Sequence, residues 1–248
     1  MDKITYYAIA MSISIVAIVL FVVLNTIFLK NKSEKTKLIP IIIVFFLLIA
    51  LEVWKIFTLI KDNGHFEPLR YPLVMCSLVM FTYPIFCFKR NRFSNLAMAF
   101  SVLPVIGMFV AFVAVQYNYI PTLMQHHSYL YHAAMMAVAV YLITSGLYKF
   151  KFKDFFKVGI ALIGYVAFCT ILSLIIGADI SIFGPEKGQL KFLYSMFGYG
   201  VGNLMVSVIM MGASAGVYAI ICGFMQLARK NKENSNTQNE QNVKEGNK

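Results

Sequence analysis

The chain has 248 residues, of which 59% are hydrophobic and 13% are charged, and its formal net charge is +11. A soluble chain of this length could not hide so much apolar surface, so the composition excludes a soluble globular protein. The positive charge does not indicate nucleic acid binding, because the basic residues lie mostly in short loops between apolar runs. We therefore expect a multi-pass protein of the cell membrane.

The hydropathy pattern predicts seven transmembrane helices and no strands, which defines an all-α bundle. Several of the apolar runs reach the roughly 20 residues that cross a bilayer. They are 7–29, 38–60, 71–88, 94–116, 124–147, 156–177 and 199–227. Together they form a predicted transmembrane domain, 1–228. The remaining segment, 229–248, is polar and rich in Asn and Lys, and we expect a disordered tail because it has too little apolar surface to fold.

The basic residues predict the orientation of the bundle. Of the 22 Lys and Arg residues, sixteen lie in alternate loops (30–37, 88–93 and 149–157) and in the tail. Short cytoplasmic loops carry an excess of such residues. The sequence therefore predicts that the N-terminus lies outside and the C-terminus in the cytoplasm. An even number of spans would not fit the alternation of basic and less basic loops along the chain.

Glycines at four-residue spacing mark the last apolar run. They are Gly198, Gly202, Gly212 and Gly216. Small residues at this spacing let helix backbones approach closely in membranes. We therefore expect these glycines to serve helix packing.

Polar residues of the predicted spans converge on one layer in the outer half of the membrane. At 1.5 Å per helical residue, Cys76 lies about 8 Å deep, His132 and Glu52 about 12 Å, and Asn203 about 6 Å. Ionisable groups at such depths are costly and usually face a polar cavity or a partner. This layer is the candidate functional site.

Cys76 and His132 each have a structural and a chemical interpretation. Cys76 can be a small apolar filler or a nucleophile, and a nucleophile needs an imidazole beside it because burial disfavours the thiolate. His132 can be a hydrogen-bonding residue between helices or that base. Glu52 and Lys55 stand three positions apart, which favours an ion pair over a catalytic role.

Other polar residues complete the candidate pocket without indicating a metal. His126 and His127 are expected at the membrane interface, and neither stands four residues from His132, so the spacing does not favour zinc. His127, Tyr129 and Asn203 are candidate pocket residues, and the last two could donate a hydrogen bond to an oxyanion. No phosphate-loop or nucleotide motif is present, so no soluble cofactor is implied.

The segments around the cysteine and the histidine resemble those of the YwaF-like integral membrane proteins. The segments are PLVMC, 72–76, and SYLYH, 128–132. These bacterial proteins are similar to eukaryotic acyltransferases that move fatty acyl groups between phospholipids, and more distantly to lipid hydrolases with a threonine and a histidine. The resemblance implies Cys76 as nucleophile and His132 as base. Family members have a histidine two positions before the cysteine, where this chain has Val74.

Three functions stay open at this point. The favoured interpretation is a lipid acyltransferase or acyl hydrolase that uses a Cys–His pair, with membrane lipids as its partners. The alternatives are a small-solute transporter or receptor, and a non-catalytic scaffold in which Cys76 and His132 never meet. The sequence does not define the lipid, the acyl acceptor or the oligomeric state.

Overall fold

The computed structural model describes residues 3–63, 75–115, 123–148, 151–176 and 191–246, and all regular structure within these ranges is helical. The helices are α1 (Lys3–Leu29), α2 (Glu34–Asn63), α3 (Val79–Phe88), α4 (Arg92–Val115), α5 (Leu123–Thr144), α6 (Phe152–Ile176) and α7 (Lys191–Gly246). A 3₁₀ turn, Met75–Leu78, precedes α3. The predicted all-α class is confirmed. The helices differ most from the predicted runs at α3, which begins eight residues after the predicted start at 71, and at α7, which extends beyond 199–227 at both ends.

Four helices contain segments that are long and apolar enough to cross a membrane. These are Met11–Leu29, Glu34–Thr58, Lys153–Leu172 and Gly200–Phe224. Large apolar side chains such as Phe28 and Phe46 are exposed on the outside of the bundle. Water would not solvate so extensive an apolar surface, whereas lipid chains do. The chain is a membrane protein with several candidate spans.

Helix α5 lies at the centre of the bundle. It packs against α1, α2 and α4, and α4 in turn packs against α3, α6 and α7. Buried positions recur around α5, including Met135, Val138 and Leu142, which are fully inaccessible. A helix surrounded by protein can carry tyrosines and histidines that lipid would exclude. This central position allows α5 to carry polar side chains such as those of His127 and His132.

Arg90 holds three chain connections together at one end of the bundle. Its guanidinium donates to Glu34 at 3.2 Å, at the start of α2, and to the carbonyl of Leu147, just after α5. It also lies over the ring of Phe86, 4.9 Å from the centroid. The α1–α2, α3–α4 and α5–α6 connections therefore lie on the same side of the bundle.

Gly198 breaks α7 near its start. Its backbone angles are φ 74° and ψ 174°, which lie outside the helical region. The break adjoins the predicted start of the last span at 199. The predicted packing role is wrong for Gly212 and Gly216, because a Cβ added at either position would meet no atom within 4 Å.

The backbone of α7 continues as helix through residues 229–246, where the sequence predicts a disordered tail. The side chains of residues 228–246 lie outside the described part of the chain. The division into a transmembrane domain and a disordered tail therefore stays a prediction.

Replacing Gly198 with Ala is expected to destabilise the protein. Backbone angles of this kind are accessible almost only to glycine, and the strain costs about 1–3 kcal/mol. The measurement is the thermal unfolding midpoint of purified protein in detergent. Gly212→Ala is the matched control, because Gly212 is helical and an added Cβ meets nothing there; its midpoint should stay equal or rise slightly. Equal midpoints for the two variants would contradict the break at Gly198.

Candidate functional site

Polar side chains gather where α2, the 3₁₀ turn and α5 meet, and we call this group the polar cluster. Its members are Glu52, Lys55, Cys76, Ser77, His127, Tyr131 and His132. Four of the residues predicted from the sequence are among them. Tyr129, a fifth, is buried on α5. Asn203 lies on α7, but its side chain falls outside the described residues.

A buried ion pair on α2 forms one side of the polar cluster. The ammonium of Lys55 contacts the carboxylate of Glu52, and the two side chains are only 14% and 12% exposed. The predicted i,i+3 pair is thus confirmed. Ser77 donates to the same carboxylate oxygen at 3.3 Å, and the Lys55 ammonium lies 5.9 Å from the centre of the Tyr131 ring. The pair connects α2 to both other elements.

The second carboxylate oxygen of Glu52 has a different environment. Oε2 is buried, and among the residues that the structure describes it has no hydrogen-bond partner. An unsatisfied buried carboxylate oxygen is costly. It is therefore a position where a water molecule or the hydroxyl of a ligand would be stabilised.

The two histidines of the polar cluster are held in opposite tautomers. His127 Nε2 lies 2.8 Å from the carbonyl of Leu51, and His132 Nδ1 lies 2.7 Å from the carbonyl of Ser128. A carbonyl oxygen only accepts, so each of these nitrogens carries the hydrogen. In the neutral ring of His132 the basic lone pair is consequently on Nε2.

Tyr131 contacts both the cysteine turn and the histidines. Its hydroxyl donates to the backbone carbonyl of Cys76 at 3.4 Å. Its ring stacks on His127, with centroids 5.7 Å apart, and meets His132 edge-on at 5.9 Å. Tyr131 was not among the site residues predicted from the sequence, although it stands four residues from His127 on the same helix.

Cys76 is the second residue of the 3₁₀ turn and is partly buried. The next residue, Ser77, bonds to the Glu52 carboxylate of the ion pair, and Cys76 itself packs against the apolar core. The preceding residues of its motif, 72–74, lie outside the described part of the chain. Cys76 therefore lies between the ion pair and the apolar core.

His127 is buried between helices. It is only 4% exposed and bonds to α2, and its predicted depth at the membrane interface stays a prediction. The ring of Trp54 packs edge-on against it at 5.5 Å. Within the described ranges, no group of three His, Cys, Asp or Glu side chains is arranged to hold a metal ion.

The fold and the polar cluster define a class, namely a helical membrane protein with several candidate spans and a buried cluster of charged and polar side chains. The TMEM164 family matches residues 4–218, which is most of the chain, and the chain belongs to that family. The resemblance to the YwaF-like proteins is therefore wrong at the level of the family. No curated protein and no solved structure matches the chain.

Removing one charge of the α2 ion pair is expected to destabilise the protein more than removing both. Lys55→Met leaves a buried carboxylate unpaired, which costs about 3–5 kcal/mol. Glu52→Gln combined with Lys55→Met should restore part of that loss. Equilibrium unfolding in mixed micelles measures Lys55→Met, Glu52→Gln and the double variant. Lys61→Met is the control, since Lys61 is exposed on the same helix, and additive losses in the double variant would contradict the coupling.

Proposed function

We propose that this member of the TMEM164 family is a membrane-embedded enzyme that transfers or hydrolyses the acyl chain of a membrane lipid. Cys76 is the nucleophile and His132 the base. The observation that carries the proposal is the position of Tyr131, which bonds to the Cys76 backbone and packs edge-on against the His132 ring. A thiol, an imidazole and a charged pair on three separate elements are thereby brought to one buried region.

The tautomer of His132 supports its role as base. Because Nδ1 donates to Ser128, Nε2 is the nitrogen that takes the thiol proton. The resulting thiolate attacks the carbonyl carbon of a lipid ester. The ester C–O bond then breaks, the imidazolium returns its proton to the departing glycerol oxygen, and an acyl-thioester forms on Cys76. A lyso-lipid hydroxyl or water, deprotonated by His132, attacks the thioester, and the thiol is regenerated.

The α2 ion pair supports the same chemistry. The Lys55 ammonium belongs to the same polar cluster as Cys76, and a cation near the thiol stabilises its thiolate. The buried Oε2 of Glu52 accepts a hydrogen bond from the hydroxyl of the acyl acceptor. The ring of His127 stacks on Tyr131, and His127 therefore positions Tyr131.

The proposal includes a topology of seven membrane-spanning helices in the cell membrane, with the N-terminus outside and the C-terminus in the cytoplasm. The contacts of Arg90 support it, because they bring three basic connections to one end of the bundle. Glu52 lies in the half of α2 remote from that end, and His127 near the start of α5. With this topology, lipids of the outer leaflet reach the polar cluster by lateral diffusion.

The test is acyl transfer or release from a phospholipid by purified protein, with a lyso-lipid or water as acceptor. Cys76→Ala should abolish turnover, and Cys87→Ala, another partly buried free cysteine, should retain it. His132→Gln should lower the rate about 10²–10⁴-fold, the usual contribution of a general base. His126→Gln is its control, on the same helix.

Unchanged turnover in Cys76→Ala would contradict the enzyme, as would equal losses in the two cysteine variants. A wild-type protein that releases no acyl chain but accumulates solute in proteoliposomes would favour a transporter. A folded wild-type protein with neither activity would favour the scaffold.

A further inference from the structure

A second polar site lies at the other end of α2 from the polar cluster, roughly 20 Å away at 1.5 Å per residue. It is a small cavity, of about 50 Å³, that lies between α1, α2 and α5 and is open on one side. Two lysines line it together with hydroxyl and amide side chains. The lining residues used below are Asn25, Thr26, Lys30, Lys37, Thr144 and Ser145.

The cavity has an excess of positive charge. Lys30 is exposed and Lys37 is half-buried. Within the part of the chain that the structure describes, no carboxylate pairs with either ammonium group. Glu34, the carboxylate between them in the sequence, pairs with Arg90 instead. Two cations thus share one cavity without a protein anion.

The hydrogen bonds of the cavity leave donors for a ligand. Thr144 donates to the Val140 carbonyl at 3.0 Å, so Thr26 is the donor in the 3.1 Å contact between the two threonines. Ser145 accepts from the amide of Leu147 at 3.4 Å, and its own O–H can therefore donate elsewhere.

Asn25 adds a further donor. One of its amide hydrogens goes to the Phe21 carbonyl at 2.7 Å, and a second remains. The available donors are thus the Asn25 amide, the two ammonium groups and the Ser145 hydroxyl. Such a set of donors suits an anion with several oxygens.

The cavity lies beside the ends of two candidate membrane spans. Lys30 directly follows the candidate span Met11–Leu29, and Lys37 lies in the first turn of Glu34–Thr58. Ile27 and Phe28, just before Lys30, are 65% and 72% exposed, so lipid chains have apolar surface to contact there. Lysines next to a membrane span attract anionic headgroups.

We propose that this cavity binds a phosphate group, carried either by an anionic phospholipid headgroup or by soluble phosphate. The lysines neutralise the charge, and Ser145 and Asn25 donate to the remaining oxygens. This site is separate from the polar cluster, and it does not depend on the acyl-transfer proposal.

The experiment uses the full chain in nanodiscs of phosphatidylcholine. One arm adds phosphatidylglycerol to the nanodisc, and the other adds inorganic phosphate to the buffer against chloride of equal ionic strength. Binding is measured from the shift of the thermal unfolding midpoint with ligand concentration. The test variant is Lys30→Gln/Lys37→Gln. The matched control is Lys32→Gln/Lys35→Gln, which removes the same charge from the same connection at exposed residues that do not line the cavity.

The test variant should weaken binding about fivefold for each lysine removed, while the control changes it little. Binding of phosphatidylglycerol alone supports a lipid headgroup as the ligand, and binding of inorganic phosphate alone supports a soluble one. Absence of binding to the wild type, or equal weakening in the two variants, would overturn the proposal, because the connection would then act only as a diffuse basic surface.

Stability of the test variant is checked in phosphatidylcholine alone. If the loss of Lys37 prevents folding, Lys30→Gln and Lys32→Gln provide the same comparison at two exposed positions. If Lys30→Gln and Lys32→Gln bind phosphatidylglycerol with the same affinity, and also bind inorganic phosphate with the same affinity, the proposal is likewise overturned.

Discussion

Burial of Glu52 and Lys55 inside a helix bundle places opposite charges where water cannot screen them, so each charge requires the other. This requirement also constrains the positions of the 3₁₀ turn and of α5. Ser77 bonds to the carboxylate and thereby holds the 3₁₀ turn, while the ammonium lies over Tyr131 of α5. Tyr131 then contacts the backbone of Cys76. The relative positions of the three elements follow from one buried pair and its immediate neighbours.

The bundle has two ends with different chemistry. The polar cluster occupies one end of α2 and α5, where charges are buried and paired. At the other end, Arg90 ties the connections together, and two lysines line an open cavity without a carboxylate partner among the described residues. Helix α5 joins the ends, and because protein surrounds it, it can carry polar residues through the bundle. Only the outer helices have faces that contact lipid directly.

Much of this arrangement could be predicted from the sequence, because lipid imposes simple rules. Long apolar runs predict the helices, and the i,i+3 spacing predicts the ion pair between Glu52 and Lys55. Burial of His127 could not be predicted, since it depends on a carbonyl of α2 that only the tertiary structure supplies. Tyr131 has the pattern of an ordinary core aromatic. Gly198 and Gly212 look alike in the sequence, and only the backbone angles distinguish a helix break from a helical position.

The family was assigned incorrectly from the sequence for a related reason. Two five-residue segments around Cys76 and His132 carried the resemblance, and the match over residues 4–218 identifies the TMEM164 family instead. Short motifs of small, aromatic and nucleophilic residues recur in helical membrane proteins, because such residues are the ones that fit between packed helices. Such motifs therefore do not determine the family.

The central claim is that the thiol of Cys76 forms a covalent bond to an acyl group. The most direct measurement is peptide mass spectrometry of the wild-type protein after incubation with a phospholipid that carries an isotope-labelled acyl chain. The account predicts a labelled, hydroxylamine-sensitive acyl group on Cys76 and none on Cys87, Cys169 or Cys222. No acylation, or equal acylation of the four cysteines, would contradict it.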